Sequence, residues 1–235
     1  MLYFLKNRGL RQAVKRWLER AYEQQLMHTD FAIISNNCWG YQLYQSLGRE
    51  YNTPFIGLFL HDDCYIKFIS SMEFYLDCPF VFTRKSKYYS EERDYPVGVI
   101  CGDIEIHFMH YESEEECLSK WSRRTKRLQS YMNQSRPVFL KLCDRDATLS
   151  GLQVLQKFHG INRFKKISFS ASSLPHGSAL KLNACDVICD KGVLRCNLIG
   201  PDLYAKRYKY FDIVEWVKYG RINHTIWSRC LGLLA

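Results

Sequence analysis

Asn36, Asn37 and Cys38 stand together between the apolar run FAIIS (31–35) and the patterned segment YQLYQSLGRE (41–50). A strand giving way to a helix there would place a thiol at a helix N-terminus, which favours the thiolate; a neighbouring protonated histidine would favour it further. Asn36 and Asn37, with the free N–H groups of the first turn, would be donors to an oxyanion. The plain alternative is a small buried hydrophobe, a common use of cysteine.

A second group lies in GDIEIHFMH (102–110). Strand alternation puts Ile104, Ile106 and Phe108 on one face and Asp103, Glu105 and His107 on the other. Unpaired burial of three ionisable groups would be heavily penalised. That face is therefore expected to meet solvent, to pair with Arg124 or Arg127, or to form an acid/base row at a cleft rim with His110 just beyond. Asp144-Arg145-Asp146 follows the apolar run VFLKLC. Its two carboxylates could hold Mg²⁺ or Mn²⁺ on a sugar nucleotide, oxygen ligands being what such ions prefer. They could equally cap a helix and pair with Arg145. Cys185, Cys189 and Cys196 lack the close paired spacing of a zinc site.

The elements that must position these groups alternate along the chain. Apolar strands are expected at 31–35, 54–60, 97–110, 137–143 and 165–172, and helices at 41–50, 62–76, 113–132 and 148–158. Asp62 or Asp63 is expected to cap the second of these helices, and Ser113 with Glu116 forms a capping-box sequence before the third. Residues 83–96 are polar and read as a loop or hairpin tip. Such alternation predicts an α/β fold, a mostly parallel sheet flanked by helices. A β-rich appendage turning at Asp190-Lys191-Gly192 is expected near the C-terminus, followed by a short helix ending at Gly220. Residues 29–220 are expected to form one domain, with a sub-boundary near 175–180 and a tail at 221–235. Ligands of open α/β sheets bind beyond the carboxyl ends of the strands. That rule gathers Ser35 to Cys38, His61 to Asp63, His107, His110, Asp144 to Asp146, Ser172, Ser173 and His176.

Composition narrows the partners. The 235 residues are 47% hydrophobic, enough for one sizeable core. Sixteen tyrosines and five tryptophans suit core packing or sugar stacking. Part of the +9 charge lies in residues 1–20, where Lys6, Arg8, Arg11, Lys15, Arg16 and Arg20 stand against Glu19 and apolar residues recur at helical spacing, and a second basic cluster is KWSRRTKRL at 120–128. The basic amphipathic helix of residues 1–28 is expected either to dock on the protein's own core or to touch an anionic membrane surface. No nucleic-acid-binding motif accompanies the charge, so nucleic acid is not an expected partner. The ten cysteines are scattered, the N-terminus has no apolar signal region, and no run approaches a membrane span. A reduced, cytoplasmic protein, peripheral at the inner membrane at most, is the expectation.

The set IISNNCWG, YNTPFIGLF, YPVGVICGDIEIHFMHY, EECLSKWSRR and YFDIVEWV resembles a bacterial family labelled domain of unknown function nineteen-nineteen, from about Phe31 to Tyr219. Members are often described as exopolysaccharide or capsule biosynthesis proteins. The resemblance implies an α/β fold, a role in making surface polysaccharide, and motif matches at Asn36 to Gly40, Glu105 to His107, Trp121 to Arg124 and Asp144 to Asp146. Leu60-His61-Asp62 departs from the pattern, which puts a role for His61 in doubt. Ser-Asn-Asn-Cys-Trp is also similar, more loosely, to a strand–Gly-Asn-Cys-Gln–helix device of coenzyme A-dependent capsule acetyltransferases.

These resemblances imply three alternatives. In an O-acetyltransferase using acetyl-coenzyme A, His107 or His110 would deprotonate Cys38 or a sugar hydroxyl, with Glu105 alongside. Asn36 and Asn37 would hold the oxyanion, and Arg123, Arg124 and Arg127, with Trp39, would hold the donor. Trp121, Asp144, Arg145 and Asp146 would meet a polysaccharide or glycolipid precursor. In a metal-dependent glycosyltransferase, Asp144 and Asp146 would be metal ligands and Cys38 structural. A non-catalytic scaffold of a capsule assembly complex is the third alternative.

Overall fold

The computed structural model describes residues 8–144, 148, 151–170, 193–195 and 200–234. The strands are β1 (Ala32–Ser35), β2 (Phe80–Thr83), β3 (Val97–Ile100), β4 (Ile104–His107), β5 (Val138–Cys143), β6 (Lys165–Ser170) and β7 (Val193–Arg195). The helices are α1 (Arg8–Glu23), α2 (Tyr41–Ser46), α3 (Asp62–Ser70), α4 (Met72–Asp77), α5 (Glu114–Asn133), α6 (Gly151–Gly160), α7 (Gly200–Ala205), α8 (Ile213–Tyr219) and α9 (Ile226–Leu233).

Strands β1, β5, β6 and β7 form a parallel sheet in that order, with Ile33 opposite Phe139 and Phe169 opposite Leu194. Every residue of β1 and β5 is buried, which is why both read as continuous apolar runs. Ala32, Ile34, Leu140 and Leu142 enter one core with Tyr65 and Phe68 of α3 and Phe158 of α6. On the opposite face, Ile33, Phe139, Ile167 and Phe169 pack with Trp39, Tyr44 and Trp216. The expected α/β architecture, a parallel sheet flanked by helices, is the one observed.

Several element expectations change. Residues 54–60 do not form a strand of the parallel sheet; a single antiparallel bridge joins Phe59 to His107. Residues 97–110 are a hairpin, β3 and β4, joined through Cys101 (φ 49°) and Gly102 (φ 74°). With β2 this hairpin makes a separate antiparallel sheet, β2-β3-β4. The helix expected over 62–76 breaks at Ser71 (φ −136°), and its N-cap is His61, without a side-chain cap. Ser113 does cap α5, its hydroxyl accepting from the Glu116 N–H at 3.2 Å. Gly220 ends α8 in the left-handed region at φ 70°. The Asp190-Lys191-Gly192 turn and the sub-boundary near 175–180 lie outside the described residues. The described strand of that region, β7, runs parallel to β6, and residues 200–234 are largely helical.

Cys78 and Cys101 are bridged, tying the residue before α4's chain enters β2 to the β3–β4 turn, which departs from the expectation of thiols throughout. Among the described residues Cys38, Cys64, Cys117 and Cys230 are free thiols. No helix of the described residues is long and apolar enough to cross a membrane.

Candidate active-site groove

Residues 57–60 join the two sheets and bring their ends together. The Leu60 N–H donates to the Asn36 carbonyl at 2.9 Å, while Phe59 and His107 exchange backbone bonds of 2.8 and 2.9 Å. Gly57 permits this path: it adopts φ 73°, and a Cβ there would lie 3.1 Å from the Tyr111 ring and 3.3 Å from His110 Cβ. The end of β1 therefore adjoins the end of β4, although they belong to different sheets.

A cavity of about 320 Å³ opens at this junction, lined by Asn37, Cys38, Phe59, Tyr89, Tyr95 and His110 among others. A second cavity of about 330 Å³ shares His110 and adds Tyr41, Tyr51, Lys120 and Arg124. The first is mainly apolar and aromatic; the second carries two cations.

Asn36, Asn37 and Cys38 take separate jobs. The Asn36 amide donates to the Cys143 carbonyl at 2.9 Å and accepts from the Cys143 N–H at 3.0 Å, so its side chain continues the β1–β5 ladder. Asn37 Oδ1 accepts from Lys141 Nζ at 2.7 Å, and Asn37 lines the first cavity. Cys38 lies three residues before α2, and its thiol faces the Leu58 carbonyl at 3.6 Å. Burial pushes that thiol up to about 11, only partly offset by the Lys141 charge, so it is protonated near neutral pH. Lys141 itself is fully buried, 5.9 Å from the Trp39 and Phe169 ring centroids.

Glu105 and His107 are both buried, whereas Asp103 is half-buried and pairs with Lys67, so of the expected alternatives neither solvent nor an arginine takes up Glu105 and His107. The reason is internal pairing. Glu105 accepts from the Ser86 hydroxyl and from the Lys87 N–H at 2.9 Å, and its Oε1 lies 2.8 Å from His107 Nε2. His107 Nδ1 is 3.3 Å from the Tyr95 hydroxyl, and Tyr95 lines the first cavity. His61 stacks on Tyr88 at 3.7 Å and sits 5.5 Å from the His107 ring. Burial, with His61 nearby, lowers His107 to about 4, so its imidazole is neutral and one nitrogen is free to accept.

The arginines separate too. Arg124 is buried on α5, donates to the Tyr111 hydroxyl at 2.8 Å and lies 4.9 Å over the Tyr51 ring. Arg127 reaches the Tyr51 carbonyl and Glu50, and Arg123 is exposed. Neither Arg124 nor Arg127 pairs with Glu105. Trp39 and Trp121 are core residues, packed against Phe211 and Trp216 and against Phe55 and Phe80 respectively, rather than groove walls. Asp144 is buried beyond β5 and accepts from the Ser170 hydroxyl at 2.5 Å. Arg145, Asp146, Ser172, Ser173 and His176 lie outside the described residues. Among the described residues no cluster of three or more His, Cys, Asp and Glu side chains is arranged to hold a metal.

Residues 2–218 match the family model described as Domain of unknown function (DUF1919). The chain belongs to this family. An uncharacterised protein of Haemophilus influenzae is 30% identical over 207 residues, covering 85% of this chain and 90% of its own length. The DUF1919 match starts at residue 2 and so takes in α1, which the motif resemblance from Phe31 onward left out. Within this DUF1919 chain, the reading of spacing alone missed Tyr95, Ser86 and Lys141. A lone lysine inside VFLKLC was a usable signal, since a buried strand tolerates a cation only with partners. Tyr95 had none, because its partner His107 is reached through the antiparallel sheet.

Proposed function

We propose that the protein is a transferase of surface-polysaccharide synthesis that moves an acyl group from coenzyme A to a sugar hydroxyl in this groove. The polysaccharide setting rests on the motif resemblance; the chemistry rests on Tyr95. Its phenol lies on the cavity wall, 3.3 Å from a neutral His107 whose other nitrogen lies beside Glu105. That arrangement suits general-base catalysis by relay.

In this reading the sugar hydroxyl gives its proton to the Tyr95 oxygen as the Tyr95 proton passes to His107 Nδ1. The resulting imidazolium is stabilised by Glu105. The sugar oxygen bonds to the thioester carbon, and the Asn37 amide nitrogen holds the oxyanion. The carbon–sulfur bond then breaks, and the coenzyme A sulfur recovers the proton from His107 through Tyr95. Arg124 and Lys120 face the donor's phosphates in the second cavity. His110, on the wall shared by both cavities, contacts the donor between them. Cys38 shapes the wall and is not the nucleophile, because its thiol is protonated and has no histidine partner among the described residues.

The test incubates purified protein with acetyl-coenzyme A and capsule fragments, with and without EDTA, following acceptor mass and released thiol. Transfer should survive EDTA, persist in Cys38→Ala, and fall about 100-fold or more in Tyr95→Phe, the range general-base catalysis supplies. Transfer seen only with a sugar nucleotide and Mn²⁺, and abolished by EDTA, would replace this reading with the glycosyltransferase and direct attention to Asp144 and Asp146. Unchanged polymer modification in cells carrying Tyr95→Phe would favour the scaffold.

A further inference from the structure

Helix α1 is fixed to the core by one face. Glu23 pairs at the buried end of α1 with Arg207, whose Nε donates to it at 3.0 Å, and the Tyr204 and Tyr208 hydroxyls point at the same carboxylate. Glu19 is buried on the same side, 3.4 Å from Arg207. The Tyr22 hydroxyl donates to Asp212 at 2.8 Å, and its ring stacks on Trp227 of α9 at 6.2 Å. Helix α9 is likewise fixed by Ser228 and Leu231, and Gly232 lies so close to Tyr208 that a Cβ would come 2.7 Å from its carbonyl oxygen. The two helices thus pack beside each other on one part of the molecule.

Their outward faces are unusual in combining apolar bulk with one sign of charge. On α1, Leu10 and Trp17 are two turns apart and exposed, Trp17 at 69%. On α9, Ile226, Cys230 and Leu233 share a face at i, i+4 and i+7, and Ile226 and Leu233 are each 83% exposed. Trp227 beside them is 61% exposed. The acids of α1, Glu19 and Glu23, are both turned inward, and α9 contains none. What remains outward is basic: Arg16 and Arg20 on α1 and Arg229 on α9.

We infer that α1 and α9 together form a docking surface for an anionic phospholipid bilayer. An apolar stripe flanked only by arginines matches the two layers of a membrane interface. Tryptophan and aliphatic side chains enter at the level of the headgroups, and the arginines are attracted to anionic lipid. A nucleic acid would use the charge and leave the aliphatic residues in water. The surface is independent of the groove chemistry, so it stands or falls separately from the acyl-transfer reading. It also joins α1, the basic segment of the sequence, to α9, which packs beside it and likewise leaves large apolar side chains exposed.

The test is co-sedimentation of the full chain with vesicles of phosphatidylcholine alone and of phosphatidylcholine with phosphatidylglycerol. Binding to the anionic vesicles only, weakened by salt, is expected, with a blue shift of tryptophan emission. Ile226→Ser/Leu233→Ser should weaken partitioning at least tenfold, and so should Leu10→Ser/Trp17→Ser; Arg16→Gln/Arg20→Gln should remove the preference for anionic lipid. Circular dichroism and melting temperature confirm that these exposed substitutions leave the fold intact. Equal binding to both vesicles, no binding, or loss from only one helix's variants would overturn the composite surface. So would a stable dimer by light scattering that is dispersed by the same substitutions, which would assign the face to a second copy.

Discussion

The Asn36 side chain bonds both backbone groups of Cys143, donating at 2.9 Å and accepting at 3.0 Å. An amide here imitates one more residue of the β1–β5 ladder after β1 has turned away. Asn36 thereby ties the end of β1 to β5, and it is not among the residues lining either cavity.

Asn36→Ala should accordingly lower stability more than it lowers turnover per folded molecule. It leaves the buried Cys143 N–H and C=O without this partner, a cost of about 2–3 kcal/mol. Urea unfolding should show a lower midpoint at unchanged slope. Asn37→Ala should lower the midpoint as well, because it takes an acceptor from the buried Lys141 ammonium, and should in addition cause a large loss of transfer per folded molecule.

Acid should destabilise the fold through two buried imidazoles. His107 and His159 are held neutral by burial, each lowered to about 4. In the unfolded chain both imidazoles take a proton near pH 6.5. Between those values the unfolded state binds more protons, so stability present above pH 6.5 is lost as the pH falls towards 4. Melting temperatures measured from pH 7.5 to 4 should fall through that window. His159→Gln should flatten part of the fall, since His159 bonds Ser168 at 2.8 Å well away from the groove.

Alkylation should separate the thiols. Cys230 is exposed, whereas Cys38 is buried with its thiol pushed up to about 11. With iodoacetamide at pH 7.5, peptide mass mapping should find Cys230 labelled far faster than Cys38. Rapid labelling of Cys38 in the folded protein would restore it as a nucleophile and sink the direct-transfer mechanism.

Arg124 has no carboxylate partner within ion-pair distance among the described residues, though it is buried beside a cavity. A charge so placed is costly unless a ligand supplies the anion. Arg124→Gln should weaken coenzyme A binding in calorimetry by roughly 10- to 100-fold, the loss of a charge-assisted bond of about 1.5–3 kcal/mol. The same change should leave binding of desphospho, uncharged donor fragments unaltered.

Much of the architecture was written in local pattern. Continuous apolar runs marked β1 and β5 because both faces of a parallel sheet are covered, and Ser113 and Gly220 marked helix ends by their own backbone chemistry. Asn37, Cys38 and His110 do line one groove, but not as the strand ends of a single parallel sheet, since His110 follows β4 of the antiparallel sheet. What spacing could not decide was pairing at a distance. Alternation put Glu105 and His107 on one face, but whether that face met water or Ser86 and Tyr95 depended on how residues 84–96 fold back over the antiparallel sheet. The apolar run at 54–60 reads as a strand because its residues are buried, yet its backbone is shared between Asn36 and His107 rather than given to one ladder. Sequence determined which residues must be hidden from water and where the chain turns, since those depend on neighbours a few positions away. Only the tertiary structure decided which buried polar groups met, because each such bond joins residues whose separation along the chain carries no local signal.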